Sequence, residues 1–251
     1  MISLVQLLLE VLSKPKAIFL AGPAGSGKSY ISKQLIPTDL EVINVDDSYE
    51  ELLKSSGLGT NQKNFTPDQL SQSAKLMGQA RKITTDKYND SVKSLNNIVI
   101  DGTGGASNPL LKKKQELEAL GYDTLMLMIY VSPLTSLQRN KDRERSLLPG
   151  IILRTWRDVN KNIELYKKEF GNNFILINND PKDAIPTFDQ KSLQPFIDDQ
   201  KATGKPKTPE EQLKSDNEKK ELNADIEQMV KILPEFDDLN SSKLKISTFL
   251  K

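Results

Sequence analysis

The stretch Gly22-Pro23-Ala24-Gly25-Ser26-Gly27-Lys28-Ser29 satisfies G-x-x-x-x-G-K-[ST] at every fixed position. Its glycines let the backbone curl until successive N–H groups point inward at phosphate oxygens. Its lysine reaches the β- and γ-phosphates, and its serine hydroxyl reaches Mg²⁺. Such a loop works between a buried strand and a helix whose N-terminus faces the anion. Both flanks fit. Ala17-Ile18-Phe19-Leu20-Ala21 is a short apolar run suited to a buried parallel strand, and Tyr30 to Leu35 can continue a helix. The motif predicts that residues Gly22 to Ser29, with Tyr30 behind them, bind the phosphates of ATP or GTP, and that Ser29 ligates Mg²⁺.

The chain downstream alternates apolar runs with helical patterns. Strands are expected at 17–21, 41–45, 97–101, 124–131 and 174–178, and helices at 28–36, 67–95, 109–120, 133–144 and 150–170. That order predicts an α/β fold with a five-stranded, mostly parallel sheet and helices on both faces. Thr66-Pro67-Asp68 supplies an N-cap and a proline at N1 for the second helix, which has room to break internally. Gly121 ends the third.

Residues 2–13 read as an amphipathic helix ended before Pro15, either packed on the domain or used as a docking tag for a larger assembly. They lack a basic n-region and carry Glu10 within the apolar stretch, so they are not read as a signal peptide. Past about residue 183 the composition turns to Pro, Lys, Asp and Gln, as in a linker or surface arm. Residues 209–233 regain helical spacing through Leu213, Leu222, Ile226, Met229 and Val230, and a last apolar cluster follows at Leu244, Ile246, Phe249 and Leu250. The expected divisions are an N-terminal helix (1–14), a catalytic domain (15–183), and a linker with a C-terminal helical arm (184–251). On this reading the domain folds without the arm, and the arm's apolar residues need a partner surface on this chain or another subunit.

Composition removes several chemistries. The 251 residues include no histidine and no cysteine, so histidine triads, imidazole metal sites, thiolate metal sites and disulfides are excluded. Acid–base work falls to carboxylates or lysines. With 35 Lys+Arg against 34 Asp+Glu, the bulk charge announces neither nucleic acid nor membrane, though a local basic patch stays open. No membrane contact is expected.

Carboxylates follow two of the predicted strands. Asp46 and Asp47 stand after the second, where a doubly wound sheet binds ligand. Phosphoryl transfer to a hydroxyl benefits from a carboxylate that accepts the proton. Asp47 is the first candidate for that base and Asp46, otherwise a substrate-side residue, the second; a helix cap is the plainer alternative. Asp101 ends the third strand in Walker B fashion, ahead of Gly102-Thr103-Gly104-Gly105. It is expected to hold Mg²⁺ or to orient the acceptor, with Thr103 beside the substrate. Arg139 and Arg143, four apart on a helix, suit clamping of a triphosphate, exposed without nucleotide and ordered with it; a solvated helix face is the alternative.

Residues 15–180 resemble the P-loop kinases of the zeta-toxin and phage polynucleotide-kinase group. The zeta-toxin likeness rests on GPAGSGKS, Asp47-Ser48-Tyr49, Val99 to Gly104, and Ala119 to Thr124. The polynucleotide-kinase likeness rests on the same Asp47 element and on Arg139-Asn140, Arg143, Pro149 and Leu153-Arg154. The resemblance implies a P-loop NTPase fold of the kinase type. Lys28 and Ser29 then bind phosphate and Mg²⁺, Asp47 is the general base, Arg139 and Arg143 are lid arginines, and Asp101 is a substrate-side acid. It also implies transfer of a γ-phosphoryl group to a nucleotide or nucleotide-sugar hydroxyl, or to a nucleic-acid 5′-hydroxyl. Two positions depart from the group's pattern: Glu50 follows Tyr49 where a basic residue is usual, and Gly105 stands where zeta toxins carry arginine. Both remove positive charge from the acceptor side. The remaining rival is an assembly protein, virion-associated, that keeps a nucleotide-binding module and binds partners or itself through its ends. An enzyme of this kind is expected in the cytoplasm.

Overall fold

The computed structural model describes residues 14–60, 65–142, 147–181, 209–232 and 234–251. The predicted N-terminal helix, Arg143 and nearly all of the predicted linker lie outside the described residues. Five strands form one sheet: β1 (Lys16–Ala21), β2 (Glu41–Ile43), β3 (Ile98–Asp101), β4 (Asp123–Tyr130) and β5 (Phe174–Asn178). Their order is β2-β3-β1-β4-β5 and every pairing is parallel. The apolar runs are buried on both faces, with the period of two that a strand imposes. Phe19, Met126, Met128, Tyr130 and Leu176 enter one core cluster, while Ile18, Leu20, Leu125, Leu127, Ile129 and Ile177 enter the other.

Nine α-helices are present among the described residues: α1 (Lys28–Leu35), α2 (Val45–Ser55), α3 (Pro67–Lys93), α4 (Ser107–Ala119), α5 (Pro133–Lys141), α6 (Pro149–Asn160), α7 (Ile163–Phe170), α8 (Pro209–Lys231) and α9 (Leu239–Phe249). Three expectations change. The second strand stops at Ile43, and Asp46 and Asp47 lie in the first turn of α2, a helix the apolar pattern did not announce. Asn44 caps it, accepting a hydrogen bond from the Asp46 N–H at 2.8 Å. The long second helix does not break: α3 runs 27 residues from a complete capping box between Thr66 and Gln69. The helix expected at 150–170 divides at Lys161-Asn162 into α6 and α7.

The C-terminal helices find their surface on this chain. Leu222, Ile226 and Val230 of α8 are buried in the first core cluster, where Arg157 of α6 also pairs with Asp225 at 3.4 Å. Ile246 of α9 is buried in the second cluster with Ile31 and Leu35 of α1. Between these helices the Asp237 N–H donates to the Leu176 carbonyl and its carboxylate accepts from the Leu176 N–H, both at 2.8 Å, covering the free edge of β5 at that residue. Among the described residues no helix is long and apolar enough to cross a membrane.

Candidate active site

Around β1 the chain places β3 and β2 on one side and β4 and β5 on the other. In open α/β sheets, ligands bind beyond the carboxyl ends of the strands where the order reverses. The Gly22–Ser29 loop leaves β1 there and runs into α1. Gly25 and Gly27 adopt left-handed φ angles of 78° and 80°, which side chains rarely tolerate. Lys28 donates from Nζ to the Gly22 carbonyl at 3.1 Å, folding its ammonium back across the loop. Ser29 is exposed at the start of α1, and Tyr30 is 64% exposed, so it supports the loop through the helix backbone rather than by burying its ring. The Ser26 hydroxyl is buried with no hydrogen-bond partner, a polar atom at the centre of an anion-binding turn.

The carboxylates gather on the β3 side. Asp101 is half-buried and accepts from Asn44 Nδ2 at 3.0 Å. Burial pushes its pKa above the ordinary aspartate range; the charge of Lys28 opposes that shift and those of Asp47 and Asp46 add to it. Asp47 keeps much of its surface open to solvent, yet the protein packed around its carboxyl, then Glu50 and Asp46, raises its pKa too. Asp46 is exposed as well and stands with Asp47 in the first turn of α2. Asn44 thus joins two duties: it caps the helix that carries Asp47 and bonds the carboxylate of Asp101. Its signal in the sequence was the cap position three residues before Asp47, hidden because the strand was expected to continue through it.

The turn after β3 is held in place from below. The Gly22 N–H donates to the Thr103 carbonyl at 3.0 Å, so the turn and the phosphate loop are hydrogen-bonded to one another. Thr103 itself is exposed. Tyr166 donates from its hydroxyl to the Gly104 carbonyl at 2.8 Å, and burial pushes that phenol up to about 12, so it remains a donor. Asn162, at the α6–α7 break, donates from Nδ2 to the Gly104 and Gly105 carbonyls at 3.1 and 3.0 Å. A Cβ at Gly104 would stand 2.8 Å from the Cβ of Ala21. Neither Asn162 nor Tyr166 carried a sequence signal, because each acts on a backbone group some sixty residues away.

Arg139 departs from the exposed lid residue expected of it. It is half-buried against the phosphate loop, donating from Nη1 to the Gly25 carbonyl at 3.2 Å and from Nη2 to the Asn179 carbonyl at 2.9 Å. Arg143, its expected companion, lies outside the described residues. Among the described residues no cluster of three or more acidic side chains is arranged to hold a metal ion.

A phosphate-binding loop at the centre of an all-parallel five-stranded sheet, with helices on both faces, defines the P-loop NTPase fold, here of the kinase type: the protein is a P-loop phosphotransferase. Residues 6–169 match the family model of the zeta toxin, and the chain belongs to that family. No curated protein matches the chain. Among solved structures, the AvrRxo1-ORF1:-ORF2 structure with ATP is 15% identical, covers 97% of this chain and 82% of its own, and superimposes with a TM-score of 0.54. A structure of the PezAT chromosomal toxin-antitoxin system of Streptococcus pneumoniae is 19% identical over 66% of this chain and 69% of its own, with a TM-score of 0.45. At 15% identity the likeness to the AvrRxo1-ORF1:-ORF2 structure is one of fold.

Proposed function

We propose that the protein transfers the γ-phosphoryl group of ATP or GTP to a hydroxyl of a small molecule, a nucleotide sugar or a nucleotide. The observation that carries this is the placement of two carboxylates beside the phosphate loop and its Lys28 ammonium: Asp47 in the first turn of α2 and Asp101 at the end of β3, tied to the cap of α2 through Asn44. In this reading the acceptor hydroxyl gives its proton to Asp47. Its oxygen bonds to the γ-phosphorus as the bond to the β–γ bridging oxygen breaks, and the nucleoside diphosphate leaves. A carboxylate whose pKa lies above the ordinary range is a better base at neutral pH than an unperturbed one. Lys28 offsets charge on the β- and γ-phosphates. Asp101 and Thr103 orient the acceptor.

Ser29 and Asp101 fit Mg²⁺, which takes few protein oxygens and fills its shell with phosphate and water. When bound, the ion neutralises phosphate charge. The AvrRxo1-ORF1:-ORF2 structure with ATP supports nucleotide use and, as a two-protein complex, a protein partner for this chain also. The acidic group Asp46, Asp47, Glu50 and Glu51 disfavours a polyanionic acceptor, so a nucleic-acid end is the weaker reading. A cytoplasmic enzyme suits these substrates.

The test offers ATP with a mixture of nucleotides, nucleotide sugars and a 5′-hydroxyl oligonucleotide, read by mass spectrometry against Lys28→Ala. A nucleotide or nucleotide sugar heavier by one phosphoryl group, absent with the variant, is the expected product. Phosphorylation of the oligonucleotide alone would make the protein a polynucleotide kinase. Undiminished product with Lys28→Ala would remove the loop from the mechanism.

A further inference from the structure

A loop that turns its N–H groups inward must turn its carbonyls outward, and each outward carbonyl needs a donor. From Gly22 to Gly27 every one has it. The Gly22 carbonyl takes Lys28 Nζ, the Pro23 carbonyl takes the Ser26 N–H, and the Gly27 carbonyl takes the N–H groups of Tyr30 and Ile31. The three between are held by side chains from far along the chain. Ser136 Oγ donates to the Ala24 carbonyl at 2.5 Å, Arg139 Nη1 to the Gly25 carbonyl at 3.2 Å, and Asn179 Nδ2 to the Ser26 carbonyl at 2.8 Å. Arg139 Nη2 then donates to the Asn179 carbonyl at 2.9 Å and links two of the three.

The glycines serve this arrangement as well as the loop's own curvature. A Cβ at Gly25 would come within 2.8 Å of the Ser136 carbonyl oxygen, and one at Gly27 would collide with Asn179 Nδ2. The loop is open at those positions because α5 and the residue after β5 press against it.

We infer that Ser136, Arg139 and Asn179 are positioning residues that clamp the phosphate loop in its anion-binding shape, and that Arg139 acts through the loop rather than on the transferring phosphoryl group. The inference rests on the phosphate-binding reading of Gly22–Ser29. It locates the effect of these three side chains in affinity for the polyphosphate, whatever base or acceptor accompanies it. A loop released from the clamp loses preorganisation, and its order must then be restored on binding.

The variants are Arg139→Lys, which loses the planar fork whose two nitrogens each hold a different carbonyl, Asn179→Ala and Ser136→Ala. Binding of ATP and of inorganic triphosphate is measured by calorimetry, with thermal melting and with kcat at saturating ATP. Each variant is expected to weaken both ligands about tenfold, the worth of one well-placed hydrogen bond, with a smaller change in kcat and little change in melting temperature. Arg139→Lys combined with Asn179→Ala is expected to lose less than the two separate losses together, because both act on one loop. Wild-type affinity in the variants overturns the inference. So does unchanged affinity with a lower kcat, which returns Arg139 to the reacting phosphate. Weaker ATP with unchanged triphosphate also overturns it, by moving the contact to the nucleoside. A variant that fails to fold leaves the decision to the other two, of which Ser136→Ala removes a single hydroxyl. If the wild-type protein binds neither ligand, the phosphate-binding reading itself falls.

Discussion

On the β3 side of the phosphate loop, Asp101 is half-buried and Asp47 stands at the surface close enough for its charge to be felt there, and both pKa values are raised, by the protein packed around the carboxyls and by neighbouring acids. On the β4–β5 side, Ser136, Arg139 and Asn179 give the loop carbonyls the donors they need. One flank crowds like charges around a half-buried Asp101; the other satisfies each polar group with geometry. The first arrangement costs stability and suits proton transfer. The second contributes order and suits binding. A phosphotransferase needs both, and this chain separates them across a single eight-residue loop.

Both flanks lean on the C-terminal helices, α8 in the cluster beneath the β3 turn and α9 in the cluster beneath α1. Ending the chain at Asp183 would therefore erase the comparison altogether. Removing buried Leu222, Ile226, Val230 and Ile246 forfeits roughly 6–12 kcal/mol of apolar burial, an upper estimate against the roughly 5–15 kcal/mol that holds a typical domain together. The expected outcome is a chain without a cooperative thermal transition and without ATP binding. A truncated protein that melts cooperatively and binds ATP would make the helices an appendage.

Within the intact fold, Asp47→Asn sharpens the contrast between reactivity and order. It keeps the shape of the side chain and removes the proton acceptor. A fall in kcat of roughly 10²–10⁴-fold with ATP affinity unchanged is expected. If Asp46→Asn shows that loss and Asp47→Asn does not, the base is Asp46. Steady-state kinetics with calorimetry decides between them.

The smallest effect concerns the cost of the acidic flank. A carboxyl whose folded pKa is raised contributes most to stability while protonated, and that contribution is lost as pH rises through the folded value. Asp101→Asn removes the charge and keeps an oxygen for Asn44 Nδ2. Its melting temperature at neutral pH is expected to exceed the wild type's by about 2–4 °C, the size of a 1 kcal/mol gain in a chain of this length. The gain should shrink as pH falls through the folded pKa of Asp101, while activity is lost throughout. A lower melting temperature at neutral pH would show that ionised Asp101 is well stabilised and that the two flanks do not differ in this way.

The sheet and the loop were legible because their signals are local. β1, β4 and β5 each contain a continuous apolar run (17–21, 125–130 and 174–177), and the glycine-lysine motif carries its own mechanics. Asp101 was legible as the end of such a run. Helix α2 was not, since Val42, Ile43 and Val45 extend the strand pattern past Asn44, although Tyr49 and Leu53 are spaced four apart on its buried face. The clamp was hidden for another reason. Ser136 and Asn179 are ordinary polar residues whose partners are carbonyls 112 and 153 residues distant, and a backbone group has no letter in a sequence. The burial of α8 and α9 was half visible: their apolar residues stood out, but not the surface that receives them.

Lys16, the first residue of β1, lies with its ammonium 5.1 Å from the centre of the Phe249 ring in α9. That contact joins the start of the central strand to a residue made more than two hundred positions later. During synthesis, at roughly 5–20 residues per second, the α1 face of the sheet must wait at least ten seconds or so for its cover. Contacts this distant in sequence slow folding, because a long segment must be closed into a loop before they yield anything. A ribosome-bound nascent chain would thus hold the complete nucleotide motif long before it holds the finished enzyme, and the interval is an opening for chaperones.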